Sequence, residues 1–301
     1  MLKTGACSVV LGRGHYRHTF PDKKGKLLKI TKTTDIHNEF KILHLVRQIK
    51  NYSKYYAIPD ELAFILRPSD KFYRDIRRLA SDADFFYGPL KCYYMDYAGD
   101  KDLLDTLKDM LSYKYNTYWT SYSKILRFTK QIMTGLGYLH QNKICHLDIK
   151  PENIIVNTRT EKYKIIDFGF SSLEPFDDFV YNVKGTPSYF PKYYPTERVT
   201  LWLPKVEAND MKNGIPMIMN RHLVYKIDSY CFGRVLYFLK HLYEDQKVYA
   251  CYNNERRTNK KLSEILDSLL NNDVYSRLTI LQCIEKYFDT KNGSLCKTSC
   301  V

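Results

Sequence analysis

The chain has 301 residues, with 47 Lys plus Arg against 33 Asp plus Glu and a formal net charge of +14. Apolar residues make up 44% and charged residues 27%, which excludes a disordered chain and leaves ample sequence for one large domain or two small lobes. No apolar run approaches the roughly 20 residues of a membrane span. Arg13, His15 and Arg17 interrupt any secretory apolar core, and neither Leu2 nor the terminal Ser-Cys-Val suits a lipid anchor. The 8 cysteines form no Cys-x-x-Cys, and Cys145, Cys231 and Cys283 lie inside apolar segments. A reduced, intracellular protein without a structural metal is expected, cytoplasmic or nuclear. Residues 1–80 carry 17 Lys/Arg against 7 Asp/Glu. With no nucleic-acid motif present, that excess reads as a solvated face or a docking surface for an acidic partner rather than as a nucleic-acid site.

In chain order, Val9, Val10 and Leu11 and then Leu27, Leu28 and Ile30 are apolar runs separated by Pro21-Asp22-Lys23-Lys24-Gly25. Turn residues between β-type runs predict a hairpin. Ile36, Phe40, Leu43, Val46 and Ile49 predict a helix over residues 35–49. Residues 51–90 look enlarged, with Arg67, Lys71, Arg74, Arg77 and Arg78 as a basic face. Ile125, Phe128, Ile132, Leu136 and Leu139 step by 3, 4, 4 and 3, the spacing of one apolar helical face. A β-rich stretch follows at Ile144-Cys145, Ile154-Ile155-Val156 and residues 163–166. Further helices are expected over residues 228–242 and around Leu262, Ile265, Leu266 and Leu269. The fold class expected is α+β, a small β-rich lobe followed by a larger helical lobe.

Two segments in the β-rich stretch carry chemistry. His146-Leu147-Asp148-Ile149-Lys150-Pro151-Glu152-Asn153 places Asp148 and Asn153 five apart on a loop between apolar strands. Asp167-Phe168-Gly169 begins nineteen residues after Asp148, again at a strand end. Asp and Asn often serve only as turn and cap residues. Two such segments in this order and context are a more specific pattern.

Together they closely resemble the catalytic loop and the metal-binding DFG segment of eukaryotic-type protein kinases. The resemblance implies a bilobal fold, with residues 1–97 as the N-lobe and 98–301 as the C-lobe. It implies transfer of the ATP γ-phosphoryl group to protein hydroxyls, with Mg2+. Asp148 would be the catalytic base, Lys150 would steady the transferring group, and Asn153 and Asp167 would be the metal ligands. A Lys two residues after the catalytic Asp points to Ser/Thr rather than Tyr acceptors, and Phe170 hints at Ser.

Followed outward, Thr4-Gly5-Ala6-Cys7-Ser8-Val9-Val10 resembles a glycine-rich loop, with Gly5, Ser8 and Val10 around the nucleotide. Lys29 matches the strand Lys that holds the phosphates, with Lys26 and Lys32 as neighbours, and Glu39 matches its helix partner. Residues 93–99 resemble the hinge, with Met95 as gatekeeper, the backbone of Asp96 to Ala98 facing adenine, and Asp102 near the ribose or a basic substrate residue. Thr186, in Gly185-Thr186-Pro187-Ser188-Tyr189, would contact Asp148 and Lys150. Asp228 matches the buried Asp that caps the catalytic loop, and Arg277 matches a late buried Arg. The catalytic loop is most similar to the calmodulin-dependent and myosin-light-chain kinase group. A compact, divergent form of this kind also fits a large DNA virus or a parasite, in which case the host cell is its location.

The departures are specific. Lys3 stands at the first glycine position, Leu27 where a small Ala is usual, and Leu147 where an Arg usually precedes the catalytic Asp. That Leu argues against activation-loop phosphorylation as the on-switch. Phe190-Pro191-Lys192 replaces the APE motif, which leaves Glu197 as the expected partner of Arg277. Residues 195–222 look like an insertion. The erosion of the glycine loop raises a second reading, a pseudokinase scaffold. A kinase-fold enzyme acting on small molecules is a third, disfavoured by Lys150 and the 185–187 run.

Overall fold

The computed structural model describes residues 13–14, 17–21, 26–32, 37–59, 63–70, 74, 90–112, 118–174, 181–183, 186–189, 193–195, 200–202, 215–217, 221–246 and 255–288. The first part is an antiparallel sheet of β1 (Arg13–Gly14), β2 (Arg17–Pro21), β3 (Lys26–Lys32), β4 (Ala63–Leu66) and β5 (Leu90–Asp96), in the order β1-β2-β3-β5-β4. The hairpin expected around residues 21–25 is present, but the strand facing β3 is Arg17–Pro21. Its basic, polar sequence hid it from a search for apolar runs, and Val9 to Leu11 lie outside the described residues.

Helix α1 (His37–Gln48) follows β3 in the chain. Ile42, Leu43, Val46 and Ile49 are buried, and Phe40 packs on Tyr93 of β5 at 5.3 Å. The short helix α2 (Tyr52–Tyr55) follows at once, and β6 (Lys101–Asp102) leads into α3 (Leu103–Leu111). Asp102 caps α3 by accepting the Asp105 N–H at 2.8 Å.

The second part is built around α4 (Tyr122–Gln141). Ser121 caps it by accepting the Lys124 N–H. The residues read as its apolar face, Ile125, Phe128, Ile132, Leu136 and Leu139, are all essentially inaccessible to solvent. Each contributes about 1.5–3 kcal/mol by burial. The β-rich stretch forms β7 (Ile144–Cys145), β8 (Ile154–Asn157), β9 (Lys162–Ile165) and β10 (Ser172–Leu173). Short strands β11 (Tyr181–Val183), β12 (Tyr193–Pro195), β13 (Thr200–Trp202) and β14 (Ile215–Met217) pair β11 with β14 and β12 with β13.

Helix α5 (Arg221–Gln246) starts seven residues before the expected Asp228 and inside the expected insertion. Helices α6 (Arg256–Leu269) and α7 (Ile280–Tyr287) complete the core with Leu262, Ile265, Ile280 and Cys283. No helix among the described residues is long and apolar enough to cross a membrane.

Tyrosines join the two parts. Tyr56, 1% exposed, donates its hydroxyl to the Gly135 carbonyl of α4 at 2.6 Å. It also forms a parallel bridge with Ile165, and the Ala57 N–H donates to the Ile165 carbonyl at 3.1 Å. A phenol buries a large apolar ring yet needs a partner for its hydroxyl, so it can pin distant segments together.

The link between β5 and β6 requires a glycine. A Cβ at Gly99 would lie 2.4 Å from the Val156 carbonyl oxygen, a backbone atom that cannot step aside. The next residue fixes the approach: the Asp100 N–H donates to that oxygen, and its carboxylate accepts the Thr158 N–H and hydroxyl at 2.7 and 2.6 Å. Gly99→Ala is therefore expected to cost about 1–3 kcal/mol. Urea unfolding measures it, and an unchanged midpoint rejects the close-approach account.

Candidate active site

The site rests on one carboxylate. Asp228, on α5, has no exposed surface. Its Oδ2 accepts the His146 N–H at 2.8 Å and faces His140 Nε2 at 2.9 Å, and its Oδ1 accepts the Leu147 N–H at 2.8 Å. Burial alone would push its pKa up. The His140 hydrogen bond and the His146 N–H outweigh that and hold it below the ordinary carboxylate value. The Cys145 thiol lies within 4.8 Å of the His140 and Asp228 ligand atoms, but both Asp228 oxygens are already committed to the loop. Burial keeps Cys145 a neutral thiol.

These bonds hold Leu147 at φ 64°, a conformation unusual for a branched residue. Its side chain is 4% exposed and belongs to the core. His146 is held from both sides: its Nε2–H donates to the Ile166 carbonyl at 3.0 Å, and its Nδ1 accepts the Asp148 N–H at 3.3 Å. Burial pushes its pKa down, so the ring is neutral and can do both.

Asp148 emerges from this frame 3% exposed. Its Oδ1 accepts the Thr186 hydroxyl at 2.7 Å, and its Oδ2 accepts Asn153 Nδ2 at 2.9 Å. Lys150 Nζ lies 3.0 Å from Asp148 Oδ2 and donates to Thr186 Oγ1 at 2.8 Å. Asn153 Nδ2 also donates to the Asp148 carbonyl at 2.8 Å. Four residues named from the sequence thus form one hydrogen-bonded group, although Thr186 lies 38 positions from Asp148. Asn153 spends its amide nitrogen on Asp148, which leaves the oxygen as the end suited to a hard cation.

Asp167 also has positive φ, 67°, and its Oδ1 accepts the Gly169 N–H at 3.2 Å. Phe168, 1% exposed, packs on His146 at 5.1 Å and edge-on to Tyr56 at 5.9 Å. The Ser171 hydroxyl donates to the His146 carbonyl at 3.2 Å. The segment is therefore tied to His146 on one side and to Tyr56 on the other.

Several other named residues belong to the sheet side. The β3–β5 register sets Leu27 opposite Met95 and Lys29 opposite Tyr93. Residues two apart in a strand share a face, so Lys29 occupies the face of Leu27, Tyr93 and Met95, whereas Lys26 and Lys32 occupy the other. Glu39 is 8% exposed, not on a solvated helical face. Burial, and then the Glu39 carboxylate, push the Tyr93 phenol pKa up, which places Glu39 near the same strand. Met95 and Ala98 form a small apolar cluster with Ala57, against which Ile155 and Ile166 pack. Asp96 is exposed at the end of β5.

Gly5, Ser8, Val10 and Glu197 lie outside the described residues. Arg277, 1% exposed, donates through Nε to the Asn271 carbonyl at 3.0 Å and lies 4.7 Å from the Tyr230 ring centroid. Sequence reasoning missed His140 and Tyr56. Their partners are 88 and 79 residues away, and nothing in the local pattern marks them.

Residues 23–288 match the family model of the protein kinase domain. The chain belongs to the protein kinase family. Among its relatives, human (Homo sapiens) myosin light chain kinase 3 is 38% identical over 97 residues, which cover 32% of this chain and 11% of that protein. The probable serine/threonine-protein kinase HSL1 of Saccharomyces cerevisiae is 38% identical over 64 residues, 21% of this chain and 4% of that one. The chain thus spans about a tenth or less of these relatives' lengths. The solved structure of the Cydia pomonella granulovirus kinase PK-1 matches with a TM-score of 0.57 at 18% identity, over 93% of this chain and 92% of that chain. That likeness speaks for the bilobal kinase fold.

Asp102 gives this kinase a measurable pH signature. Burial first, with Asp105 and Glu152 nearby, pushes its carboxyl up to about 6 from 3.8, against the Asp105 N–H and Lys108. Between those values the folded state holds a proton that the unfolded state releases. The associated stability is complete below the unfolded value and is lost as pH rises through the folded one. Asn caps a helix as well as Asp does. Asp102→Asn is therefore expected to raise the melting temperature near neutral pH and to lose that advantage in acid. A melting-temperature difference that stays constant with pH rejects the assignment.

Proposed function

We propose that this protein kinase is an active, ATP- and Mg2+-dependent enzyme that phosphorylates Ser, and to a lesser degree Thr, in protein substrates. The Asp148–Lys150–Thr186–Asn153 group carries the reading, because erosion of catalysis would be expected to reach these residues first. In this reading residues 1–97 are the nucleotide-facing lobe and 98–301 the substrate-facing lobe.

When bound, Mg·ATP supplies the phosphoryl group and the charge neutralisation that a loose transition state needs. The chain's own residues do the positioning. Asp148 receives the acceptor hydroxyl and takes its proton at the carboxylate. Lys150 offsets charge on the transferring group while Thr186 fixes the orientation of both. Asn153 and Asp167 offer the hard oxygens that suit Mg2+, with Asn153 oriented by its two bonds to Asp148. The strand parity of Lys29 and the burial of Glu39 support them as the pair that holds the α- and β-phosphates. Met95, Ala98 and Ile155 offer an apolar surface for adenine, and the backbone of Asp96 to Ala98 its polar edge. Asp102 and Glu152 supply negative charge for a basic residue near the acceptor.

The test is phosphate incorporation from Mg·ATP into the chain itself and into generic Ser-containing basic proteins. Asp148→Asn is expected to lower kcat by about 10²–10⁴-fold while nucleotide binding persists. A wild-type chain that binds nucleotide but transfers no phosphate overturns the reading in favour of a scaffold.

A further inference from the structure

Helix α6 carries its charges against its own dipole. Arg256, Arg257, Lys260 and Lys261 are four of its first six residues, while Glu264 and Asp267 follow in its second half. Helix α1 has the favourable arrangement, with Glu39 in its first turn and Arg47 in its last. The N-terminus of a helix is its positive end, so cations there are disfavoured. Arg256/Lys260 and Arg257/Lys261 are also like charges four residues apart, which repel on one helix face. The core does not require them. Helix α6 packs through Leu262, Ile265, Leu266 and Leu269, whereas Arg256, Arg257 and Lys260 are exposed. Among the described residues neither arginine has a carboxylate partner, and Lys260 reaches Glu264 only at 4.0 Å.

The patch extends beyond one helix. Lys261 lies 4.8 Å from the Phe288 ring centroid, and Lys130 of α4 lies 5.9 Å from the same ring. Glu255, the acid next in sequence, accepts the Tyr122 and Ser123 N–H groups of α4 at 3.1 and 3.2 Å and makes no side-chain cap on α6. The patch therefore begins at the N-terminus of α4, about 30 Å along that helix from its junction with the catalytic loop. Its surroundings select among anions. Base stacking needs a bare aromatic face, and two ammonium groups already lie over Phe288. A nucleic-acid duplex needs phosphate contacts along a track, whereas the basic part of α6 is about 9 Å long. A lipid surface takes up an apolar helix face, and that of α6 is in the core. A short acidic polypeptide fits: helix residues four apart are about 6 Å apart, close to the roughly 6.6 Å between alternate side chains of an extended chain.

We propose that the basic face of Arg256, Arg257, Lys260 and Lys261, with Lys130 beside it, is a docking surface for an acidic segment of a partner protein, with Asp or Glu at alternate positions. This goes beyond the proposed phosphoryl transfer and does not depend on it. Carboxylates seated there offset the repulsion within the patch and complement the positive end of α6. Without a partner the same charges weaken the helix, as residues kept for binding rather than for folding do.

Fluorescence anisotropy on the full chain tests it, with a short labelled peptide of alternating Glu and Gly. Binding is expected to weaken as salt is raised, and the same peptide with Gln in place of Glu is expected not to bind. Combining Arg256→Gln, Arg257→Gln and Lys260→Gln is expected to lower the affinity by about tenfold or more. The melting temperature of that variant is expected to equal or exceed that of wild type, because the repulsion is gone. Equal affinity of wild type and variant overturns the inference, as does equal binding of the Gln peptide. A variant that melts lower assigns these charges to the fold and also overturns it. Tighter binding of a DNA oligonucleotide or of phosphatidylserine vesicles rejects the acidic protein segment as the occupant. No readout involves phosphoryl transfer, so the kinase reading stands or falls separately.

Discussion

A buried carboxylate with no exposed surface organises this molecule. Asp228 accepts two consecutive backbone N–H groups, those of His146 and Leu147, and meets the imidazole of His140. Burying an ionised group is tolerable only when each oxygen is hydrogen-bonded, and here the donors come from the loop that must be held in place. Removing the carboxylate would leave two buried donors without an acceptor, at about 1–3 kcal/mol each. The two backbone donors that help make Asp228 tolerable also fix the peptide from which Asp148 projects. Stability and site geometry are therefore not separable at this point.

The backbone strain sits beside that anchor. Leu147 and Asp167 both adopt left-handed φ, at 64° and 67°, with a cost of about 1–2 kcal/mol per residue for side chains with a Cβ. Packing offsets it. Leu147 is buried in the main core, and Phe168, next to Asp167, is clamped between His146 and Tyr56. A buried leucine cannot pair with a phosphate, so nothing at this position waits for a charge to arrive. The loop is held by apolar burial and the Asp228 carboxylate instead.

Legibility followed the range of the interactions. The Asp148–Asn153 spacing is local, and Asp148, Lys150 and Asn153 meet within one short segment. Helix α4 was readable because its face repeats an unbroken apolar step over four turns. Strand β2 was not, since Arg17-His18-Thr19-Phe20-Pro21 owes its strand state to pairing with β3 rather than to its own apolar pattern. Lys26, Lys29 and Lys32 look alike in one dimension, and only the β3–β5 register separates Lys29 from the other two by strand parity. The reach of α5 back to Arg221 was obscured by the expected insertion. His140 and Tyr56 act across 88 and 79 residues, and no local signal announces a contact of that range.

Tyr56 also explains why a chain with 27 tyrosines can place its two lobes in firm register. Helix α1, which carries Glu39, passes almost directly into α2 and then into Tyr56, through the Tyr52 N–H to Ile49 carbonyl bond. Tyr56 in turn touches Phe168 and bonds to α4. Burial pushes its phenol pKa far above the ordinary value, so it remains a proton donor at any physiological pH. Tyr56 thus ties the far end of the α1–α2 pair both to α4 and to the ring beside Asp167. Packed contacts of this kind shift in discrete steps, not gradually. The helix that carries Glu39 and the segment that carries Asp167 are therefore linked through one buried phenol.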